Sequence, residues 1–244
     1  MAGIRLDKYL ADAGAGTRSQ VKEKIRKGKV TVNGQPAKKP ELKVDPASDV
    51  VEAEGIRFTF QKNRYYMLRI SRAAVCLPQR MPPREPCWSF CRPASGGGFF
   101  PWGGLDKDAE GLLLLTDDGP LAHRLLSPKK HVEKTYCARV EGSLGPEDVK
   151  AFAAGLDIGD EKPALPAKLQ ICGETDGICQ VLITVSEGRY HQVKRMVAAR
   201  GGRVIWLKRL SMGPLTLDER LAPGQYRKLT QEEMRLLGLD ADGG

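Results

Sequence analysis

Apolar residues near the start of the chain follow two different spacings, first helical and then strand-like. Residues 5–13 place their apolar side chains on one face of a short helix. A second helix, capped by Thr17 or Ser19, ends at Gly28. Residues 29–34 then alternate like a strand and close with Asn-Gly, a strong hairpin signal. The pattern predicts a small helical domain with a hairpin.

The rest of the chain has the pattern of strands interrupted by short helices. Strands are predicted near residues 64–69, 112–116, 134–141, 180–186 and 203–210. Short helices, the last with a capping box, are predicted at residues 120–126, 191–197 and 231–237. The expected fold class is α+β. A small domain over residues 1–60 precedes a larger domain over residues 61–244 that is built on a mostly antiparallel mixed β-sheet.

The charge balance favours a polyanionic partner. The chain has 39 Lys and Arg against 30 Asp and Glu, a net charge of +9. Nine basic residues and only two acids lie between Arg18 and Lys43. A solvated helix face is the ordinary explanation of such a run. Here the basic residues cluster where a helix meets a hairpin, which predicts a compact positive surface suited to nucleic acid.

Several other classes of protein are disfavoured. The longest aliphatic run, residues 112–115, is too short to cross a bilayer, and the N-terminus lacks the apolar core of a secretion signal. A cytoplasmic protein without membrane association is expected. The six Cys show neither zinc-site spacing nor a nearby His, so we expect reduced thiols and no metal site.

Three short motifs near the N-terminus belong together. They are Arg-Leu-Asp-x-x-Leu at residues 5–10, Thr-Arg-Ser at residues 17–19 and Gly-Lys-Val-Thr-Val-Asn-Gly at residues 28–34. Together they resemble the S4 RNA-binding domain over almost its whole length. The resemblance implies that structured RNA is bound by a set of basic and hydroxyl side chains, namely Arg5, Lys8, Arg18, Ser19, Lys22 and Lys29.

Three later segments each hold one polar residue in a distinctive setting. Asp106 lies in an acidic turn before the apolar residues 112–115, Tyr136 ends Glu-Lys-Thr-Tyr, and Lys194 lies in His-Gln-Val-Lys-Arg-Met. Taken singly, each is an ordinary turn former, core residue or solvated charge. In this order, with Gly-Pro-Leu-Thr-Leu and Pro-Gly-Gln-Tyr-Arg near the C-terminus, they resemble the ribosomal RNA pseudouridine synthases that carry an N-terminal S4 domain.

The resemblance implies a reaction and three roles. Asp106 is the catalytic carboxylate, either a nucleophile on the sugar or a base towards a sugar proton, and the sequence leaves both open. Tyr136 stacks on the uracil with its hydroxyl near the proton to be lost, and Lys194 stabilises the ionised acid. No cofactor and no metal are expected. Further candidates for the basic RNA surface are Arg124, Lys129, Lys130, Lys134, Arg189 and Arg195.

Alternatives stay open at this point. The motif around Lys194 is most similar to small-subunit (16S) ribosomal RNA enzymes, whereas large-subunit (23S) relatives tend to carry Arg there. An S4-type RNA-binding protein with a catalytically impaired second domain is a further alternative. A hydrolase using Asp106 and Asp108 as paired carboxylates is disfavoured, because no metal-binding partner for them presents itself. The protein is expected to act as a monomer.

Residues 69–104 differ from everything around them. They hold three of the six Cys, two of the three Trp, six Pro and five Arg, but neither Lys nor Asp. The stretch lacks helical and strand periodicity, although its length keeps the flanks in register with the family pattern. We interpret it as a reading-frame error, with a divergent insertion as the alternative. At its end, Gly104 stands where the family carries an Arg that helps to hold or replace the displaced base, a departure that weighs against full activity.

Overall fold

The computed structural model describes residues 3–60, 63–71, 100–126 and 131–239. These residues divide into two compact units at the boundary between Arg64 and Tyr65. Each unit has its own sheets and its own hydrophobic core. No helix in the described ranges is long and apolar enough to span a membrane.

Within residues 3–60, the N-terminal unit combines two helices with two small sheets. The helices are α1 (Leu6–Asp12) and α2 (Arg18–Arg26). The strands are β1 (Ile4–Arg5), β2 (Val30–Val32), β3 (Gln35–Pro36), β4 (Lys43–Val44), β5 (Val51–Ala53) and β6 (Ile56–Phe58). Strand β1 pairs with β4, and the other four form an antiparallel sheet in the order β3-β2-β5-β6.

Local sequence explains the helices and the hairpin of this unit. Leu6 and Leu10 are buried on one face of α1, at the spacing of a helical turn. Thr17 begins α2 with a capping box. Asn33 and Gly34 both adopt positive φ, as a tight turn between β2 and β3 requires. The predicted helices and hairpin are therefore confirmed, with small shifts of their ends.

Within the described residues, the second unit is a nine-stranded mixed sheet with four helices. Its strands are β7 (Tyr65–Ile70), β8 (Phe100–Trp102), β9 (Glu110–Thr116), β10 (Lys134–Glu141), β11 (Lys168–Thr175), β12 (Ile178–Val185), β13 (Arg203–Met212), β14 (Leu215–Thr216) and β15 (Tyr226–Lys228). Its helices are α3 (Gly119–Leu126), α4 (Pro146–Ala154), α5 (Gln192–Ala198) and α6 (Gln231–Leu236). The sheet runs β11-β12-β10-β13-β9-β7-β15, with β14 beside β13 and β8 beside β9.

Strand β9 carries the parallel pairing of this sheet. It is antiparallel to β7 along one edge, while β13 runs parallel to its first two residues, Glu110 and Gly111. The backbones approach closely there, because a Cβ on Gly111 would lie 2.2 Å from the carbonyl oxygen of Arg209, and the φ of Gly111 is +105°. Only glycine fits this position. The other described strands pair antiparallel, so the predicted α+β fold is confirmed.

The anomalous residues 69–104 are extended at both of their described ends. Arg69 and Ile70 complete β7, and residues 100–102 form β8 beside β9. At these ends the strand predicted near residues 64–69 extends to Ile70, and β8 is a strand that the sequence did not predict. Hydrogen bonding to β9 imposes an extended backbone on them, whatever their residue types. Residues 72–99, on which the frame-error interpretation mainly depends, lie outside the described residues.

Candidate active site

Asp106 lies in a turn at the entrance to β9. The backbone N–H of Ala109 donates to the Asp106 carbonyl at 3.0 Å, which closes the turn just before the strand begins. The Asp106 carboxylate is 25% exposed and lines a cavity of about 1020 Å³. A cavity of this size accommodates a small organic ligand such as a nucleoside. The turn therefore presents a half-buried acid to a ligand-sized space.

Helix α5 carries Lys194 to this acid. Met196 and Val197 are buried on the inner side of the helix, which leaves Lys194 at its margin. Its Nζ lies 3.3 Å from Asp106 Oδ2. The same ammonium group donates a hydrogen bond to Asp108 Oδ1. We call Asp106, Asp108 and Lys194 the Asp106 cluster.

The two acids of this cluster contact one lysine. Strand β9 begins only at Glu110, and the turn at residues 107–108 brings both carboxylates to Lys194. Asp108 is the more exposed acid, 58% against 25% for Asp106. Within the described ranges no group of three or more His, Cys, Asp or Glu side chains could hold a metal ion, and the described cysteines are free thiols.

Tyr136 lies on β10 and lines the same cavity as Asp106. Its side chain is buried. The register of the sheet places it opposite Arg209 of β13, next to a β-bulge. Arg209 Nη1 donates to the Tyr136 hydroxyl at 3.5 Å. The structure therefore brings Asp106 and Tyr136 to one cavity, with Lys194 beside the acid.

Arg209 is a buried cation that the sequence patterns did not reveal as part of the site. It is fully buried and donates to the carbonyls of Leu112 at 2.8 Å and Gly104 at 3.0 Å, besides Tyr136. Its partners in the described part of the chain are neutral oxygens, so no adjacent carboxylate there matches its charge. The sequence did contain one indication that Arg209 is buried. Arg209 follows the apolar Leu207 by two residues, and strand alternation places both side chains on one face.

His191 is a second residue missed at this site. It was expected to begin the helix, but α5 begins at Gln192, and His191 precedes it with a left-handed backbone, φ +49°. His191 lines the cavity, and its Nε2 lies 3.9 Å from Asp106 Oδ1. Residues other than glycine rarely adopt this conformation, and those that do are often found at functional sites. Hydrophobic periodicity carries no signal for such a backbone.

Lys134 is one of two predicted RNA-binding cations that line the cavity, the other being Arg189. Lys134 lies two residues before Tyr136 on β10 and donates to the carbonyl of Val132 at 2.8 Å. Burial lowers its pKa, the charge of Arg209 lowers it further, and Glu187 opposes both. Lys134 thus adds an amino group to the lining of the cavity, and Arg209 contacts the hydroxyl of the cavity-lining Tyr136.

Arg189 and Arg195 serve mainly to hold a neighbouring loop. Arg189 donates to the carbonyl of Pro163 at 2.8 Å, and Arg195 Nε donates to the carbonyl of Ile158 at 2.9 Å. Both pair with Asp160, and the hydrogen bond from Arg195 is the main reason that the pKa of Asp160 is lowered. These partners give the two arginines a structural role, and their binding to RNA stays a prediction. Three other predicted cations lie outside the described side chains, namely Arg124, Lys129 and Lys130.

In the N-terminal unit, one buried acid gathers three cations. Asp7 is 1% exposed and accepts two hydrogen bonds from Arg5, both at 3.1 Å. Arg18 Nη2 lies 3.8 Å and Lys22 Nζ 4.0 Å from its carboxylate. Burial alone would raise the pKa of Asp7, but the hydrogen bond and charge of Arg5 and the charge of Arg18 outweigh it, so the pKa lies below its usual value. We call Asp7, Arg5, Arg18 and Lys22 the Asp7 cluster.

The remaining predicted RNA contacts of this unit differ in their surroundings. Lys8 and Ser19 are exposed on the two helices. Lys29 forms an ion pair with Glu54 at 3.0 Å, and Lys24 pairs with the same acid at 2.9 Å. The hydrogen bonds from these two lysines lower the pKa of Glu54 to about 2. Two lysines thus share the charge of Glu54, whereas three cations share that of Asp7.

Known proteins share both units. Residues 4–51 match the S4 domain family, and residues 92–199 match the RNA pseudouridylate synthase family. A Bacillus subtilis (strain 168) protein named as an uncharacterized RNA pseudouridine synthase, YtzG, is 41% identical over 96% of this chain and 98% of its own. The ribosomal small subunit pseudouridine synthase A of Vibrio parahaemolyticus is 41% identical over 95% of this chain and 98% of its own.

A solved structure agrees with these matches. A crystal structure of a pseudouridylate synthase superposes with a TM-score of 0.59 at 35% identity, and the match covers 96% of this chain and 99% of the other. The fold and the site thus define an S4-domain protein with a synthase unit. The chain belongs to the RNA pseudouridine synthase family, whose enzymes are RNA isomerases.

Proposed function

We propose that this protein converts a uridine of 16S ribosomal RNA to pseudouridine. The observation that carries the proposal is a carboxylate and an ammonium group 3.3 Å apart, Asp106 and Lys194, at the wall of a cavity of about 1020 Å³. Relatives named for the small ribosomal subunit align with nearly the whole chain, which supports small-subunit RNA as the substrate. Lys194 supports the same choice, because large-subunit relatives tend to carry Arg there.

The reaction replaces a C–N glycosidic bond by a C–C bond without net oxidation. The bond between uracil N1 and sugar C1′ breaks, the base turns, C5 bonds to C1′, the C5 proton leaves, and N1 gains a proton from solvent. Asp106 acts as nucleophile or as base towards a sugar proton, and both roles require an ionised carboxylate. The ammonium group of Lys194 stabilises that negative charge, which is the role we assign to it.

Tyr136 supplies an aromatic surface and a hydroxyl inside the cavity. A ring of this kind stacks on a uracil face. Arg209 donates to the hydroxyl oxygen, which leaves the Tyr136 O–H to turn towards a bound base. We assign Tyr136 to stacking on the uracil and to transfer of the C5 proton.

The uridine must leave its stack in the RNA to reach Asp106, which costs a few kcal/mol. We propose that contacts between cations and phosphates offset this cost. In the S4 unit the cations are those of the Asp7 cluster and the exposed Lys8, with the Ser19 hydroxyl as a further donor. In the synthase unit the cation is Lys134. We further propose that the protein acts as a monomer in the cytoplasm and needs no cofactor.

A second candidate function is RNA binding with little turnover. Gly104 favours it, because this residue lines the cavity without offering a side chain to the base. The family position carries an Arg, whose cationic group would lie in that space. The two functions share the same RNA contacts and differ in the rate of the chemical step.

The test uses full-length protein with unmodified 16S and 23S ribosomal RNA transcripts. Pseudouridine is located by carbodiimide labelling and reverse transcription. We expect a modified uridine in the 16S transcript, none in the 23S transcript, and none with the Asp106→Asn variant. Modification of the 23S transcript alone contradicts the choice of substrate. Binding without modification of either RNA supports the second candidate function.

A further inference from the structure

Tyr190 is an exposed aromatic residue at the rim of the cavity that Asp106 lines. Its side chain is 76% exposed, the highest value among the exposed large apolar residues of the described chain. It lines the cavity together with His191. Single exposed apolar residues are common on protein surfaces, so exposure alone assigns no role. The role of Tyr190 is inferred from the position of its ring and from the contacts that hold it.

The Tyr190 ring is held in a fixed orientation. It stacks on the ring of His191, with centroids 3.8 Å apart and planes inclined by 17°. Arg195 Nη1 donates to the Tyr190 carbonyl at 3.3 Å, and the same arginine is anchored to the carbonyl of Ile158 at 2.9 Å. The backbone N–H of Arg189 donates to the side chain of Gln192 at 3.0 Å, which ties down the preceding residue.

The stacked pair forms a short column that starts at the reacting acid. His191 Nε2 lies 3.9 Å from Asp106 Oδ1, and Tyr190 continues outwards from His191. Because His191 covers one face of the Tyr190 ring and the side chain is still 76% exposed, the other face is open. The outer face of the Tyr190 ring is therefore a flat, exposed aromatic surface beside the cavity.

We propose that Tyr190 is a stacking platform for the nucleobase of a nucleotide adjacent to the target uridine. This inference rests on the proposed function. When the uridine enters the cavity, its neighbour in the RNA loses a stacking partner. The open face of Tyr190 replaces that partner at the rim. The contact recognises any base, because every nucleobase has a π-face, and it fixes the register of the strand over Asp106.

The same unit offers a matched control. Tyr226 of β15 is 50% exposed, and it meets Tyr66 edge-on, with ring centroids 5.7 Å apart and an interplanar angle of 77°. It is not among the residues that line the cavity. Removing the Tyr226 ring takes away a similar exposed aromatic surface without touching the column.

The experiment measures kcat and KM by tritium release from 16S ribosomal RNA labelled at uridine C5. The proteins are the parent, Tyr190→Ala, Tyr190→Phe and Tyr226→Ala. Affinity for the same RNA is measured with each substitution combined with Asp106→Asn, so that no turnover occurs. We expect Tyr190→Ala to weaken binding and raise KM about tenfold, the usual cost of losing one base-stacking aromatic ring, with kcat nearly unchanged. Tyr190→Phe and Tyr226→Ala should resemble the parent.

Two results overturn the inference. One is an affinity of Tyr190→Ala equal to that of Tyr226→Ala. The other is a fall in kcat with unchanged KM and affinity, because the ring would then act by holding His191 rather than by contacting RNA. Failure of the proposed function appears differently, as an absence of tritium release from the parent. The affinity comparison still tests the platform in that case.

Discussion

The Asp7 cluster and the Asp106 cluster use the same chemical groups in opposite proportions. In the N-terminal unit one acid, Asp7, is surrounded by three cations. In the synthase unit two acids, Asp106 and Asp108, share Lys194. The first cluster leaves an excess of positive charge at the surface, which suits RNA phosphates. The second leaves an excess of negative charge at a cavity, which suits chemistry on a sugar.

The buried member also differs between the two regions. In the Asp7 cluster it is the acid, which organises cations that remain exposed to solvent. In the synthase unit it is the cation Arg209, which donates to the carbonyls of Gly103, Gly104 and Leu112 and to the Tyr136 hydroxyl. The comparison indicates that the position of the charged groups, more than their number, distinguishes the region proposed to bind RNA from the region proposed to catalyse the reaction. Variants that break each arrangement should therefore fail in different assays.

Lys194→Met should have the largest effect among four variants, the others being Arg209→Met, Gly104→Arg and Asp7→Asn. It removes the cation beside Asp106 and leaves two acids close together, so kcat should fall by about a hundredfold, as for loss of one catalytic electrostatic partner. Lys194→Arg should restore most of the rate, because it keeps the charge. Lys107→Met removes another cavity-lining cation and should remain close to the parent. Single-turnover rates on 16S ribosomal RNA provide the measurement, and equal rates for both methionine variants would contradict the assignment.

Arg209→Met should mainly reduce stability. Three carbonyls and the Tyr136 hydroxyl lose a buried donor, so the free energy of unfolding should fall by about 2 kcal/mol. Arg203→Met on the same strand is the control, because Arg203 is 74% exposed and its loss should change stability little. Urea unfolding of the full-length proteins gives both values. Similar midpoints for the two variants would show that the buried guanidinium contributes no more than the exposed one.

Gly104→Arg should raise activity. A Cβ on Gly104 meets no heavy atom within 4 Å, so a side chain can enter the cavity without displacing its neighbours. An arginine there can hold the displaced base, and we expect kcat to rise about tenfold. Gly104→Ala tests whether a side chain without charge suffices and should leave kcat unchanged. If the rate of Gly104→Arg does not exceed that of the parent, the missing arginine does not limit the activity of this chain.

Asp7→Asn should have the smallest effect, confined to the N-terminal unit. Because the folded-state pKa of Asp7 is lowered, its ionisation stabilises the fold fully above its usual pKa, and this contribution is lost as pH falls through the lowered value. The Asn variant lacks this dependence, so its stability should approach that of the parent at acidic pH. RNA affinity should weaken modestly, because Arg5, Arg18 and Lys22 lose their common anchor. Thermal unfolding between neutral and strongly acidic pH checks the first expectation, and a constant difference across that range would refute it.

Local patterns were sufficient for much of the fold. Helical spacing and a cap at Thr17 or Ser19 identified α1 and α2, and Asn33-Gly34 identified the hairpin. Of the nine described strands of the synthase unit, five were predicted, namely β7, β9, β10, β12 and β13, whereas β8, β11, β14, β15 and the helix α4 were not. The helix now seen as α5 was predicted one residue too early, because the left-handed backbone of His191 depends on tertiary contacts that local spacing does not encode.

The site was predictable only in part. The resemblance pointed to Asp106, Tyr136 and Lys194, and the structure places these residues at one cavity or beside its acid. It did not reveal Arg209 or the sharing of Lys194 by Asp108. Both depend on contacts across 86 to 105 residues of sequence. Such contacts arise from sheet topology, which no local period reports.

The most direct test of the account compares Asp106→Asn with Asp108→Asn in the tritium-release assay. Each substitution removes one negatively charged partner of Lys194, but only Asp106 is assigned to react. We predict that Asp106→Asn abolishes release while RNA binding is retained, and that Asp108→Asn remains active. Equal loss in both variants, or release that persists in Asp106→Asn, would contradict the claim that Asp106 is the reacting carboxylate.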